Sequence, residues 1–158
     1  MSKTITVGMA DYKIAKAPDI ICTLGLGSCI GICIYDPALK LGGMAHIMLP
    51  AAGGNVSDPE KYADTCLELL LKDILSIGGN KNRLRAKIAG GAQMFAFPGT
   101  PALNIGERNA EAVKQELNKH GIQLLVAEVG GNFGRTIYFD VSTGALRIRT
   151  IHFGEKVV

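Results

Sequence analysis

Tryptophan is absent, and aromatic residues make up only 6% of the 158-residue chain. Its core must therefore be built from aliphatic side chains. No charge of one sign dominates: 17 Lys and Arg against 14 Asp and Glu leave a formal charge of +3, spread along the chain. Without a basic stripe interleaved with aromatics, nucleic acid is not an expected partner. Long hydrophobic runs are missing as well. Ile20 to Tyr35 carries no charge, yet Gly25, Gly27 and Gly31 interrupt it, and it is short for a spanning helix. Met1-Ser2-Lys3-Thr4 runs straight into a strand-like segment with no secretory signal. A cytoplasmic protein without direct membrane insertion is expected.

Cysteine is sparse. Four cysteines give no disulfide framework. Cys29 and Cys33 on one strand would lie about 13 Å apart, beyond disulfide reach. Phosphate and dinucleotide motifs are lacking too. There is no GK[ST] loop, and Gly25-x-Gly27 is followed by Ile30 where a dinucleotide fingerprint needs its third glycine. Cys22, Cys29, Cys33 and His46 lack a usual zinc-ligand spacing. No cofactor and no metal are expected.

What is present is 20 glycines and 47% hydrophobic residues, enough for one domain spanning 1–158. Thr4 to Ala15, Asp19 to Leu24, Ser28 to Tyr35 and Leu41 to Leu49 read as strands between turn signals. A glycine-rich loop, 50–56, leads to a helix, with Asp58-Pro59 as cap and first-turn proline. Ala63, Cys66, Leu67, Leu70, Leu71, Ile74 and Leu75 recur at helical spacing, and Gly78-Gly79 stops it. Leu84 to Ala89 reads as a strand. A second helix runs from about Ile105 to His120, opened by Asn104 and Glu107 as a capping box, with Ile105, Ala112, Val113 and Leu117 facing inward. Ile122 to Val129, Arg135 to Val141 and Ala145 to His152 complete the strands. The expected class is α+β, a layered sandwich with two main helices.

Cys29 and His46 are the chemistry-bearing pair. Cys29 follows the turn Gly25-Leu26-Gly27-Ser28, where backbone amides are exposed, and opens an alternating stretch. His46 lies in the next one, beyond the turn Asp36-Pro37-Ala38-Leu39-Lys40. If Asp36 and Leu39 flank a two-residue turn, 29 faces 46, with Cβ atoms roughly 4.5–5.5 Å apart. A wider turn of the same parity makes the pair diagonal and still within reach. A thiol and an imidazole so placed are the minimum for covalent acyl chemistry. The structural account stands beside this one: free cysteine is usually a buried small hydrophobe, which suits Cys22, Cys33 and Cys66. A lone strand histidine is commonly a hydrogen-bonded core residue. His120 suits a helix C-terminus and His152 the surface.

Thr23-Leu24-Gly25-Leu26-Gly27-Ser28-Cys29, with Met44-Ala45-His46-Ile47-Met48-Leu49-Pro50 downstream, resembles the CheD family of chemoreceptor glutamine deamidases. Gly90-Gly91-Ala92-x-Met94-Phe95, Asn104-Ile105-Gly106-x-Arg108-Asn109, Gly130-Gly131-x-x-Gly134-Arg135 and Thr143-Gly144 follow in the family's order, so the likeness covers about Gly8 to Arg149. The resemblance implies a three-layer α/β/β sandwich with mixed, largely antiparallel sheets. It implies a cysteine hydrolase that converts receptor glutamines to glutamates, with Cys29 as nucleophile, His46 as base and acid, and Thr23 as third member. On that reading His46 stabilises a Cys29 thiolate and lowers its pKa, and amides near Gly27 and Ser28 hold the oxyanion. The substrates would be chemoreceptor cytoplasmic domains and the regulatory partner a CheC-type phosphatase. A non-catalytic adaptor for receptors or for CheC is the alternative. Residues 96–102 depart from the family pattern.

Overall fold

The computed structural model describes residues 2–54, 57–94 and 104–158; the 96–102 segment and the end of the 50–56 loop lie outside them. Ten strands form two five-stranded sheets, and two helices cover one of these. The first sheet contains β1 (Thr4–Thr6), β3 (Ile20–Leu26), β8 (Arg135–Asp140), β9 (Ala145–Thr150) and β10 (Gly154–Val157), in the order β1-β3-β8-β9-β10. The second contains β2 (Asp11–Lys16), β4 (Ile30–Asp36), β5 (Leu41–Ile47), β6 (Arg85–Gly90) and β7 (Gln123–Val129), in the order β2-β5-β4-β6-β7. Among the described strands, only β1–β3 and β6–β7 pair in parallel. Helices α1 (Ala63–Ser76) and α2 (Ile105–Lys119) lie on the second sheet. The expected α/β/β sandwich is therefore present.

The pattern of β4 and β5 explains the layering. Both strands are buried along their whole length, and their alternate residues enter different cores. Ile30, Ile32, Ile34, Ala45 and Ile47 pack with Cys66, Leu67, Leu70 and Ile74 of α1. Cys33 and Met44 face the first sheet instead, with Ile137, Phe139 and Ile148. An uncharged segment is what a strand covered on both faces requires.

Several elements differ from the sequence reading. Thr4 to Ala15 is not one strand: after β1 the chain turns through Met9 and Ala10, the latter at φ 55°, and β2 joins the other sheet. Asp58 and Pro59 begin a separate 3₁₀ turn (Pro59–Lys61), and α1 starts at Ala63 with no side-chain cap. Asn104 does cap α2, accepting from the Glu107 N–H. The inner face of α2 is Gly106, Asn109, Ala110, Val113 and Leu117, while Ile105 and Ala112 are only half-buried. Ala145 to His152 ends earlier, at Thr150, and turns back into β10.

The β4–β5 turn is wider than two residues. Asp36 pairs with Leu41, and the loop closes through Lys40 N–H donating to the Asp36 carbonyl. Gly31, not Cys29, therefore faces His46. The shift is by two residues, so parity is kept, and Cys29, just before β4, packs against the inter-sheet core that Gly31 and His46 face. Asp36 itself staples the hairpin. Burial alone would raise its pKa, but Arg83 and the amides of Asn80, Leu39 and Ala38 outweigh it and bring it down to about 2.

Candidate active site

The site forms where the chain twice crosses between sheets. Thr23 lies on β3 in the first sheet, and His46 on β5 in the second. Gly27-Ser28-Cys29 is the crossing from β3 to β4, and Val7 to Ala10 is the crossing from β1 to β2. Cys29 precedes β4 instead of belonging to it.

A bulge prepares the first crossing. The β3–β8 register shifts between Thr23 and Leu26, with Gly25 at φ 63°. The extra residue lets both Thr23 and Leu26 turn inward while Leu24 stands exposed. Opposite, Gly31 admits the close approach of the sheets, since a Cβ there would lie 2.6 Å from Ile137 Cδ1. His46 shares the face of Gly31 and so looks across to the first sheet.

Thr23 Oγ1 and His46 Nδ1 are 2.7 Å apart, both side chains buried. Thr23 Oγ1 also donates to the Val7 carbonyl at 2.7 Å. A hydroxyl has one proton to give. With that proton on Val7, the threonine oxygen accepts from Nδ1–H, and the lone pair of His46 rests on Nε2. Nε2 is buried and has no hydrogen-bond partner among the described residues. The Ala10 N–H donates to the His46 carbonyl, and the Val7 N–H to that of Cys22, so the β1–β2 crossing clamps both strands.

Cys29 is half-buried and free. Burial pushes its thiol up and pushes His46 down. Burial thus favours a thiol and a neutral imidazole, opposite in direction to the lowered Cys29 pKa that the resemblance implies. No Cys29–His46 hydrogen bond forms among the described residues. Bonds of this kind commonly close only when substrate is present.

The Cys29 loop is held through its carbonyls. Gly27 accepts from the Ala92 N–H at 2.9 Å, Cys29 from the Gly91 N–H at 2.9 Å, and Ser28 from Asn109 Nδ2 at 2.9 Å. Their N–H groups donate to nothing among the described residues. The cause is visible at Gly91, whose φ of 64° turns the chain out of the β4–β6 ladder. Its carbonyl lies against α2, where a Cβ on Gly106 would sit 2.5 Å from it, so it is not available to the Cys29 N–H.

Asn109 escaped the sequence reading as a site residue. It is fully buried, and its Nδ2 bridges the carbonyls of Ser28 and Met48, each at 2.9 Å. One side chain thus ties the loop of Cys29 to the strand end that carries His46. An Asn on the apolar face of an otherwise amphipathic helix was the available signal. Cys22 adjoins Thr23 and takes part through its carbonyl. Cys33 lies in the inter-sheet core, and Cys66 is on the buried face of α1, where burial pushes it up to about 12. His120 caps α2.

Among the described residues, no helix is long and apolar enough to cross a membrane. A family model described as CheD chemotactic sensory transduction matches residues 48–150. That match begins after Thr23, Cys29 and His46, but full-length relatives span them. The chain is 63% identical, over all of both chains, to a probable chemoreceptor glutamine deamidase CheD of Desulfitobacterium hafniense. It is 53% identical to one of Syntrophomonas wolfei, again over the whole of both. With the chemoreceptor glutamine deamidase CheD of Thermotoga maritima, identity is 46% over 96% of this chain and 94% of the relative. A two-sheet sandwich with this likeness along its full length places the chain in the CheD family.

Proposed function

We propose that this single-domain chain is a protein-glutamine deamidase of chemoreceptors, with Cys29 as nucleophile, His46 as general base and acid, and Thr23 as orienting residue. The observation that carries the reading is the Val7–Thr23–His46 relay, which leaves a buried Nε2 lone pair without a donor among the described residues. The names of the relatives agree with it.

Cys29 Sγ attacks the carboxamide carbon while its proton passes to His46 Nε2. The C–S bond forms, and the carbonyl oxygen takes the negative charge. The unengaged N–H groups of Gly27, Ser28 and Cys29 receive it. Nε2–H then protonates the departing nitrogen, the C–N bond breaks and ammonia leaves a thioester. Water gives a proton to Nε2 and attacks the thioester. The C–S bond breaks, the thiol is restored and glutamate is released. Because burial keeps both groups neutral at rest, proton transfer accompanies attack instead of preceding it. Thr23 orients the ring without adding a charge, so the imidazolium gains less than a carboxylate would give.

Family likeness also supports a CheC-type phosphatase as regulatory partner and action in the cytoplasm. The adaptor reading is separated by one measurement. Incubation of a receptor cytoplasmic fragment should convert glutamine to glutamate, a gain of about 1 Da by peptide mass spectrometry. Cys29→Ala should lose the conversion and Cys33→Ala keep it. Unchanged turnover by Cys29→Ala would end the proposal.

A further inference from the structure

A cavity of about 460 Å³ opens beside the Cys29 loop, not over it. Gly25 and Met94 form its near wall, and Met94 also lies over Gly27, where a Cβ would meet its side chain at 3.5 Å. Arg135, Arg149, Phe133 and Ile151 form much of the rest. No Asp or Glu lines it.

Arg135 is the unusual member. It is only 4% exposed, yet among the described residues its side chain makes one hydrogen bond, Nη1 to the Gly90 carbonyl at 3.2 Å. Its guanidinium stacks 4.4 Å from the Phe133 ring centroid. Among the described residues no carboxylate forms an ion pair with it: Glu128 is near enough to attract it but is engaged by Lys156 at 2.8 Å, on the side away from this cavity. A guanidinium has five donors in a fork that matches a carboxylate, and burying one with most of those donors unused is costly. Arg149 adds a second cation on the rim, 5.4 Å from the Tyr138 ring centroid and 3.4 Å from Glu155, whose other oxygen serves Arg147. Ile151 and Met94 are exposed apolar side chains beside these cations.

We infer that this cavity is a carboxylate subsite, taking an acidic side chain on the same protein segment as the target glutamine. The inference rests on the deamidase reading and adds a substrate class to it: glutamines with an Asp or Glu within a few residues. Arg135 gives the carboxylate a desolvated partner, Arg149 steers it in, and Met94 and Ile151 cover the intervening chain.

The test is steady-state deamidation of a receptor fragment by wild type, Arg149→Glu and Arg135→Lys, with Lys72→Glu on α1 as a remote charge reversal. KM should rise on the order of tenfold in Arg149→Glu, more than kcat falls, and wild-type KM should climb with salt. Neutralising the fragment's neighbouring carboxylate should raise wild-type KM and leave that of Arg149→Glu nearly unmoved. Equal KM in wild type and Arg149→Glu overturns the subsite. Alkylation of Cys29 keeps this separate from the deamidase reading, because it needs no turnover. The rate ratio of iodoacetate to iodoacetamide should fall severalfold in Arg149→Glu and hold in Lys72→Glu. A ratio unchanged by Arg149→Glu also counts against the subsite, even if no fragment is ever deamidated.

Discussion

Thr23 shows how little a residue type reveals before its partners are known. In sequence it is one polar residue in an apolar strand. In the fold its single proton is taken by Val7, and that one bond leaves the lone pair of His46 on Nε2. Thr23→Val keeps the volume but leaves Nδ1–H buried without an acceptor. It should lower kcat by about 10- to 100-fold, the usual range for an orienting partner. Thr23→Ser retains the oxygen and should recover most of the rate. The pH–rate profile of the two variants is the decisive measurement: Thr23→Val should alter its acid limb, where His46 titrates, and Thr23→Ser should not.

At the scale of elements, the crossings matter more than the strands they join. The β3–β4 crossing carries Cys29 and is held by the glycine turn after β6 and by Asn109 of α2. Gly90 shows how close that fit is: its φ is 114°, and a Cβ there would lie 2.2 Å from the Cys29 carbonyl oxygen. Removing Asn109 would strand the carbonyls of Ser28 and Met48. Asn109→Ala should reduce unfolding free energy by about 2–4 kcal/mol in urea titration. Its kcat should also fall under conditions where the variant is fully folded, since the Cys29 loop and the end of β5 would no longer share a tether. Full kcat in folded Asn109→Ala would make the residue a structural one only.

For the whole molecule, the pair of sheets is joined at one end through a titratable group. Folding depresses the His46 pKa through burial. The unfolded chain therefore takes up the proton first as pH falls below about 6.5. The stability that neutral His46 contributes is complete above that value and is lost as pH drops toward the folded pKa. Melting temperature should fall between pH 7.5 and 5.5, before most carboxylates titrate. His46→Gln should flatten that slope, and calorimetry across the range checks it. A slope unchanged in His46→Gln would overturn this account.

Hydrophobic pattern and turn chemistry are local, and they gave away the two helices, most of the strands and the Asn104 cap. Parity along β4 and β5 was also kept despite the misjudged turn, since Gly31 faces His46 two residues on from the expected partner. Three features depended on contacts far apart in sequence. Thr4 to Lys16 divides between sheets because each half finds a different neighbour, β3 or β5. Asn109 meets Ser28 only because α2 packs over the glycine turn at 90–92. The protonation of Cys29 and His46 follows from burial, which no stretch of sequence encodes by itself. Local order was thus written in the chain, while the working charge state of the pair was decided by which surfaces the sandwich removed from water.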